Sequence, residues 1–337
     1  MASNILLAVA VWLMCVSLVP WMMRIAPRIG ALDVPSDGRR LHKRPVPRTG
    51  GIAIFVSLLP AFAVIETPHT ATVRLLLGAT VLLLLGIVDD VYRLSAGVKI
   101  AVQALAAAVV VSGGAGIGSL SFLGTVVEVG TLELPLSVLW LVTLINAHNM
   151  IDGLDGLCAG VSAIEGLLLF VILTGQGSYA WAGVSLAAVG AAFGFWVYNR
   201  HPASIFMGDA GSQVLGLGLG YLSLRLDQPR AGMLGAMVPL LLFGLPLSDL
   251  AFAVLRRLAR GQSPFAADRG HWHHRLFDAG LSQIWTCRML LLVCLLLGAG
   301  ALGISREAWY GYAVYALLWT VVLVSVVRMR CVGAKET

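Results

Sequence analysis

Residues 75–90 read LLLGATVLLLLGIVDD, an uncharged run that stops on two adjacent carboxylates. With its flanks (72–88) the run approaches the length at which a helix crosses the hydrocarbon of a bilayer. The same pattern, a greasy segment followed by a polar island, recurs along the 337 residues. Of these residues 58% are hydrophobic and 12% charged, and the mean hydropathy is +0.88. That composition excludes a soluble globular domain. The continuous apolar runs also exclude an outer-membrane barrel, whose strands alternate. The fold class is therefore an all-α polytopic membrane protein, read as one integral-membrane domain over 1–337.

Eleven spans are expected, at about 4–23, 50–66, 72–88, 98–112, 134–148, 157–174, 179–198, 211–225, 233–255, 285–304 and 308–327. Span 233–255 carries Pro239 and Pro246 and should kink. Span 211–225 is weak because it is rich in glycine. No positive residue precedes the first span, whereas Arg24 and Arg28 follow it. A cleaved signal would have the opposite order, so the N-terminus is placed outside. The inner segments are then 24–49, 89–99, 146–156, 199–210, 256–284 and 328–337. Of the 23 Lys and Arg, all but Arg74, Arg225, Arg230 and Arg306 fall in or beside them. Such a bias marks the cytoplasmic side, and every polar island lands there. On the other side, 119–135 (SLSFLGTVVEVGTLELP) alternates apolar and polar residues around Gly124 and Gly130, the pattern of a short periplasmic β-hairpin. The five cysteines form no C-x-x-C pair and read as small buried hydrophobes rather than a disulfide framework or metal site.

The islands carry the chemistry, because ionisable groups at a membrane are costly and usually functional. Asp89 and Asp90 face an unfavourable dipole at a helix C-terminus and need a cation, for which Lys99 is a candidate. In NAHNMIDGLDG (146–156), Asp152 and Asp155 would share one face of a helical turn. Gly153 and Gly156 let a ligand approach the backbone, and five polar side chains, His148 among them, resist a packing explanation. Asp209, between Gly208 and Gly211, suits a hydrated hard cation and could also cap the following helix. His271, His273 and His274 lack cysteines and the i, i+4 spacing of a helical zinc site. With Arg256, Arg257, Arg260, Arg269 and Arg275 nearby they fit phosphate contacts. Two glycine-rich stretches are not nucleotide loops: 216–220 reads as helix packing, and 113–118 as a flexible turn. Carboxylates for a metal beside His and Arg for phosphates suit phosphoryl transfer, between a soluble nucleotide diphosphate and a lipid.

At these motifs the chain resembles the polyprenyl-phosphate N-acetylhexosamine-1-phosphate transferases, which share a superfamily with the phospho-MurNAc-pentapeptide translocase. The matching motifs are Asp33-Val-Pro with Arg40-Leu-His-Lys43, 45–51 (PVPRTGG), Asp89-Asp90, Asn146 to Gly156, 206–212 (FMGDAGS), Pro246-x-x-Asp249, Ser263-Pro-Phe, and Asp268-Arg-x-His-x-His-His274. They cover most of the chain in the family order. The form of the last motif resembles the UDP-GlcNAc branch, which starts O-antigen, common-antigen or teichoic-acid synthesis. The resemblance implies transfer of GlcNAc-1-phosphate from UDP-GlcNAc to undecaprenyl phosphate, with release of UMP. It implies Mg2+, with Mn2+ as a substitute, and Asp209 as the best ligand, joined by Asp89 or Asp90. Asp89 or Asp90 would bind or deprotonate the lipid phosphate. Asn149, Asp152, Gly153, Leu154 and Asp155 would line the nucleotide pocket, with Phe206 near the uracil. His271, His273 and His274 would hold the diphosphate or sugar. Lys43 and Lys99 would contact phosphate, and Arg275 would bind substrate. The expected location is the bacterial inner membrane, with the site facing the cytoplasm. No nucleic-acid partner is expected, and a homodimer is left open. The main alternative is the same reaction with another UDP-N-acetyl sugar or UDP-MurNAc-pentapeptide. A secondary transporter is the remote one, since its acids would lie near the midplane of two related repeats.

Overall fold

A computed structural model describes residues 2–34, 44–64, 69–122, 124–227, 234–263, 270–317 and 320. Lys43 and Asp268-Arg269 lie outside the described residues. The protein is mostly helical. In chain order the described helices are α1 (Ala2–Ile25), α2 (Gly50–Val64), α3 (His69–Tyr92), α4 (Ala96–Val111), α5 (Glu133–Ile151), α6 (Leu157–Gly175), α7 (Tyr179–Asn199), α8 (Gly208–Ser223), α9 (Met237–Leu242), α10 (Gly244–Ala259), α11 (Trp272–Asp278) and α12 (Gln283–Ser305), with further helix over 309–317. Six of them are long and apolar enough to cross a membrane: α1, α3, α5, α6, α7 and α12. Helices α2 and α4 are apolar but shorter.

Small residues set the packing, as expected where lipid offers no hydrophobic drive between helices. Helix α8 is almost wholly buried at the centre. Around it, α2 and α3 close in through glycine. A Cβ on Gly51 would lie 2.3 Å from Gly211 N, and one on Gly86 2.2 Å from Ala210 N. Helix α5 does the same from the other side, where a Cβ on Gly216 would lie 2.8 Å from Leu144 O. The glycines of 216–220 therefore serve packing, except Gly218, which faces open space. Helix α7 receives α1 along Gly183, Gly190 and Gly194. The weak hydropathy of α8 now has its cause: it is solvated by other helices, not by lipid.

Two expectations change. Span 233–255 is not one kinked helix but α9 and α10, broken at Phe243 (φ −95, ψ 20). Pro246 has no N–H to donate to Leu242 O, and its ring clashes with that carbonyl, so the helix stops and restarts. Second, 146–151 is not loop. Helix α5 runs on to Ile151 because its polar side chains find partners inside the bundle. Asn146 Nδ2 donates to Gln103 Oε1 (2.7 Å) and to Val142 O (2.8 Å). His148 is fully buried and pairs with Glu165 through Nε2 to Oε2 at 2.8 Å. His148 thus belongs to the core.

The helix ends sort into two groups. At one end Arg74 and Arg225 bond the carbonyls of Ser112 and Gly114, and Gln176 bonds Asp227. The expected hairpin is there: β3 (Ser119–Phe122) pairs antiparallel with β4 (Thr125–Glu128), Ser119 opposite Glu128. It is tied to the entry of α9 by Ala236 N donating to Ser121 O. At the other end lie β1 (Leu32–Asp33) and β2 (Val46–Pro47), also an antiparallel pair. Pro47 O accepts from Phe206 N, and Phe206 O from Gly50 N, which locks β2 and the start of α2 to the entry of α8.

Candidate active site

This second end gathers the polar islands. Asp89 and Asp90 sit in the last turn of α3. Asp89 accepts from Leu94 N–H at Oδ1 (2.7 Å) and from Lys99 Nζ at Oδ2 (2.9 Å), and its carboxyl also meets that of Asp209. Lys99, in the first turn of α4, also reaches Asp209 Oδ2 at 3.5 Å. The expected Lys99 partnership is thus observed, and the lysine bridges two acids from different helices. Asp209 lies in the first turn of α8, where Met207, not Asp209, is the cap. Its backbone N–H points at Asp90 Oδ1 (3.5 Å). Arg48, just after β2, reaches the same oxygen at 3.5 Å. Asn149, in the last turn of α5, donates to Ser212 Oγ (3.0 Å), which places it beside the first turn of α8.

The geometry of Asp90 tests whether these residues fit a divalent cation. Its Oδ2 is buried with no hydrogen-bond partner, a costly state that a cation would relieve. Gly208 keeps that place open: at φ +68 it needs glycine, and a Cβ there would stand 2.4 Å from Oδ2. The donors at hand are carboxylate oxygens, the type that hard Mg2+ prefers. Among the described residues no three His, Cys, Asp or Glu side chains already form a ligand cage. These residues would suit Mg2+ through Asp209 and Asp90, with Asp89 against Asp209 and Lys99.

Beside the cluster opens a cavity of about 600 Å³, a volume in the range of small-molecule sites. Arg48 and Gly208 form its border with the acidic cluster, and Asp152, Gly153, Leu154, Asp155, Phe206 and His274 line the rest. Residues 152–156 form a turn rather than a helix, so Asp152 and Asp155 do not share a helical face; both nevertheless line the cavity. Burial pushes the Asp152 carboxyl well above the usual carboxylate range, with Arg48 acting in the opposite direction. Asp155 is held at the rim, accepting from His201 Nδ1 (2.8 Å) and Ala203 N (3.1 Å). Asn199 fixes the turn: it accepts from Gly156 N (3.0 Å) and donates to Ile205 O (2.8 Å).

The histidines divide. His274 lines the cavity. His273 is buried against Gly153, where a Cβ would lie 2.8 Å from its Nε2. Burial first, and the charge of His274 second, pull His273 down to about 4, so it is neutral at pH 7. His271 contacts Asp249: its Nδ1 lies 2.8 Å from Oδ2, while Trp272 N donates to Oδ1 (2.8 Å). A carboxylate oxygen accepts, so Nδ1 is the donor of this pair. Neither His271 nor His273 is on the cavity wall, and Arg275 is exposed. Sequence reasoning passed over two residues that organise the site, Arg48 and Asp249. Both stand in motifs quoted above, and a lone carboxylate within the apolar stretch 233–255 was the available signal for Asp249.

The matches to known proteins follow this geometry. The model of glycosyl transferase family 4 matches residues 72–227, from α3 through the end of α8. A probable undecaprenyl-phosphate N-acetylglucosaminyl 1-phosphate transferase of Bacillus subtilis (strain 168) is 40% identical over 285 residues, which cover 83% of this chain and 77% of that protein. The chain belongs to this family. A second member, the decaprenyl-phosphate N-acetylglucosaminephosphotransferase of Mycolicibacterium smegmatis, is 32% identical, with 90% of this chain and 82% of that one covered. A third, the undecaprenyl-phosphate alpha-N-acetylglucosaminyl 1-phosphate transferase of Escherichia coli (strain K12), is 28% identical, with coverages of 84% and 78%. The family segment 72–227 contains Asp89, Asp90, Lys99 and Asp209 but not Arg48. The histidine segment 271–274 lies beyond it.

Proposed function

We propose that this protein transfers N-acetylglucosamine-1-phosphate from UDP-GlcNAc to undecaprenyl phosphate at the cytoplasmic face of a bacterial inner membrane, releasing UMP. The observation that carries the reading is the junction at Arg48 and Gly208. There a cation-seeking carboxylate pair, Asp90 and Asp209, meets a nucleotide-sized cavity. The named relatives supply the substrate class. The membrane reading is eleven crossings with the N-terminus outside. It is supported by the grouping of helix ends, since Arg74 and Arg225 sit at the end opposite the site.

In this mechanism the nucleotide lies in the cavity over Asp152, Gly153 and Leu154, with Phe206 beside the base and Asp155 held at the rim by His201. His274, on the cavity wall, faces the diphosphate and sugar, with the His271 ring 6.4 Å from it. Lys99, fixed between Asp89 and Asp209, holds the acceptor phosphate. A phosphate monoester has its second pKa near ~6, so at neutral pH the acceptor is largely dianionic and needs no general base. One of its oxygens attacks the sugar-linked phosphorus. The new P–O bond forms as the bond to the bridging oxygen of UMP breaks, and that oxygen leaves with UMP. Mg2+, held by Asp90 and Asp209, would neutralise charge on the diphosphate as the bond breaks. Arg48 adds fixed positive charge on the cavity side of the same junction.

The test is purified protein with undecaprenyl phosphate, Mg2+ and a panel of UDP sugars. UMP release from UDP-GlcNAc is expected, abolished by a chelator and restored by Mg2+ or Mn2+. UDP release would mean ordinary glycosyl transfer and sink the reading. Asp209→Asn should lower turnover on the order of a hundredfold or more with unchanged thermal stability. Near-normal turnover would remove Asp209 from the metal role.

A further inference from the structure

Behind the Asp155–His201 contact lies a second cavity, of about 540 Å³, between the end of α7 and the start of α12. Its rim carries Arg200 and Arg288, both exposed, and its floor is Val197 and Leu291, with the exposed Ile284 beside them. Among the described residues neither guanidinium has a carboxylate partner. Each instead lies over an indole, Arg200, just past α7, at 5.9 Å from the Trp196 ring and Arg288 of α12 at 5.2 Å from the Trp285 ring. The carboxylate on the wall, Asp155, is already engaged by His201 and Ala203. Below the rim the apolar floor continues onto the outer faces of the two helices, where Phe193 is 49% and Leu292 54% exposed. Basic groups and indoles above an apolar face mark the headgroup level of a membrane helix.

We propose that this cavity binds an anionic membrane phospholipid, with its phosphate between Arg200 and Arg288 and the start of its acyl chains on Val197 and Leu291. Two arginines that among the described residues contact aromatic rings and no carboxylate give the charge complementarity. The apolar floor makes the ligand a lipid rather than a free anion. Asp155, His201 and Pro202 line both cavities. A lipid seated here therefore braces the rim of the nucleotide cavity from behind, and the donor affinity should respond to it. The inference rests on the membrane reading but not on the reaction, so it is tested by binding without turnover.

The experiment places the full chain in phosphatidylcholine nanodiscs containing a small fraction of spin-labelled phosphatidylglycerol and reads the immobilised lipid. Immobilised phosphatidylglycerol should exceed equally labelled phosphatidylcholine. Arg200→Gln and Arg288→Gln should each weaken retention about fivefold, the double variant should lose it, and the two Arg→Lys variants should keep most of it. Millimolar inorganic phosphate should not displace the lipid. Retention in the double variant equal to the unaltered protein would overturn the proposal. So would displacement by inorganic phosphate alone, or by a stoichiometric amount of undecaprenyl phosphate, which would make this a simple anion site or a site for the acceptor. Unchanged melting of the double variant in detergent shows that a loss of binding is not a loss of fold.

Discussion

At the scale of single residues, the site depends on side chains held by other side chains. Asp249 is 3% exposed and receives both His271 Nδ1 and Trp272 N, so it sets the tautomer of the histidine and the start of α11 together. Asp249→Ala should lower kcat/KM for the nucleotide sugar on the order of tenfold or more, and Asp249→Asn should recover part of it. A loss of melting temperature with full activity would make Asp249 merely structural. His273 gives a pH signature. Its folded-state value of about 4 lies below its ordinary 6.5, so in acid the unfolded chain binds the extra proton first. Its contribution to stability is complete above about pH 6.5 and is lost progressively as pH falls toward 4. Melting followed from pH 7.5 to 4.5 should therefore fall more steeply in the unaltered protein than in His273→Gln. Equal slopes would show that His273 is not buried as a neutral ring.

At the scale of elements, α8 is the axis. Glycines of α2 and α3, and Gly216 of α8 itself against α5, let three backbones meet there, and the metal-side acids hang from the contact. Gly86 faces Ala210 N and Gly51 faces Gly211 N, one and two residues past Asp209. Gly86→Val should overpack this clasp, cost about 1–3 kcal/mol and displace Asp209 from Lys99. The check is a lowered melting temperature with a larger loss in kcat than in KM for the donor. Unchanged melting would show that α3 can slide. The existence of most of these helices was legible from apolar runs, and the hairpin from its alternation. Helix α8 and the last turns of α5 were harder to read, for one reason. Glycine, Asn and His lower hydropathy, yet here glycine buys close backbone contact, and Asn146 and His148 are satisfied by Gln103 and Glu165 from other helices. Local composition cannot report a partner that lies far along the chain.

At the scale of the whole molecule, two ends with different chemistry define the protein. The acidic cluster, the cavity and the histidines share one end, while Arg74, Arg225 and the hairpin share the other. If the site end faces the cytoplasm, single cysteines at exposed Arg275 and exposed Val126 should label from opposite sides of sealed inside-out and right-side-out vesicles. The Arg275→Cys variant should label only in the inside-out preparation. Labelling of both positions from one side would invert or break the topology. What the chain determined by itself was its solvent and its chemical vocabulary. Long apolar runs require helices in lipid, and carboxylates, histidines and arginines at their ends require a polar, charged ligand. Tertiary structure decided which of those groups act together. It gave Asp89 to Lys99, His271 to Asp249 and His148 to the core, and it left Asp90 with a buried oxygen unpartnered. The difference is physical: hydropathy is a property of each segment, whereas the pairing of charges depends on distances of a few ångströms between helices that only packing brings together.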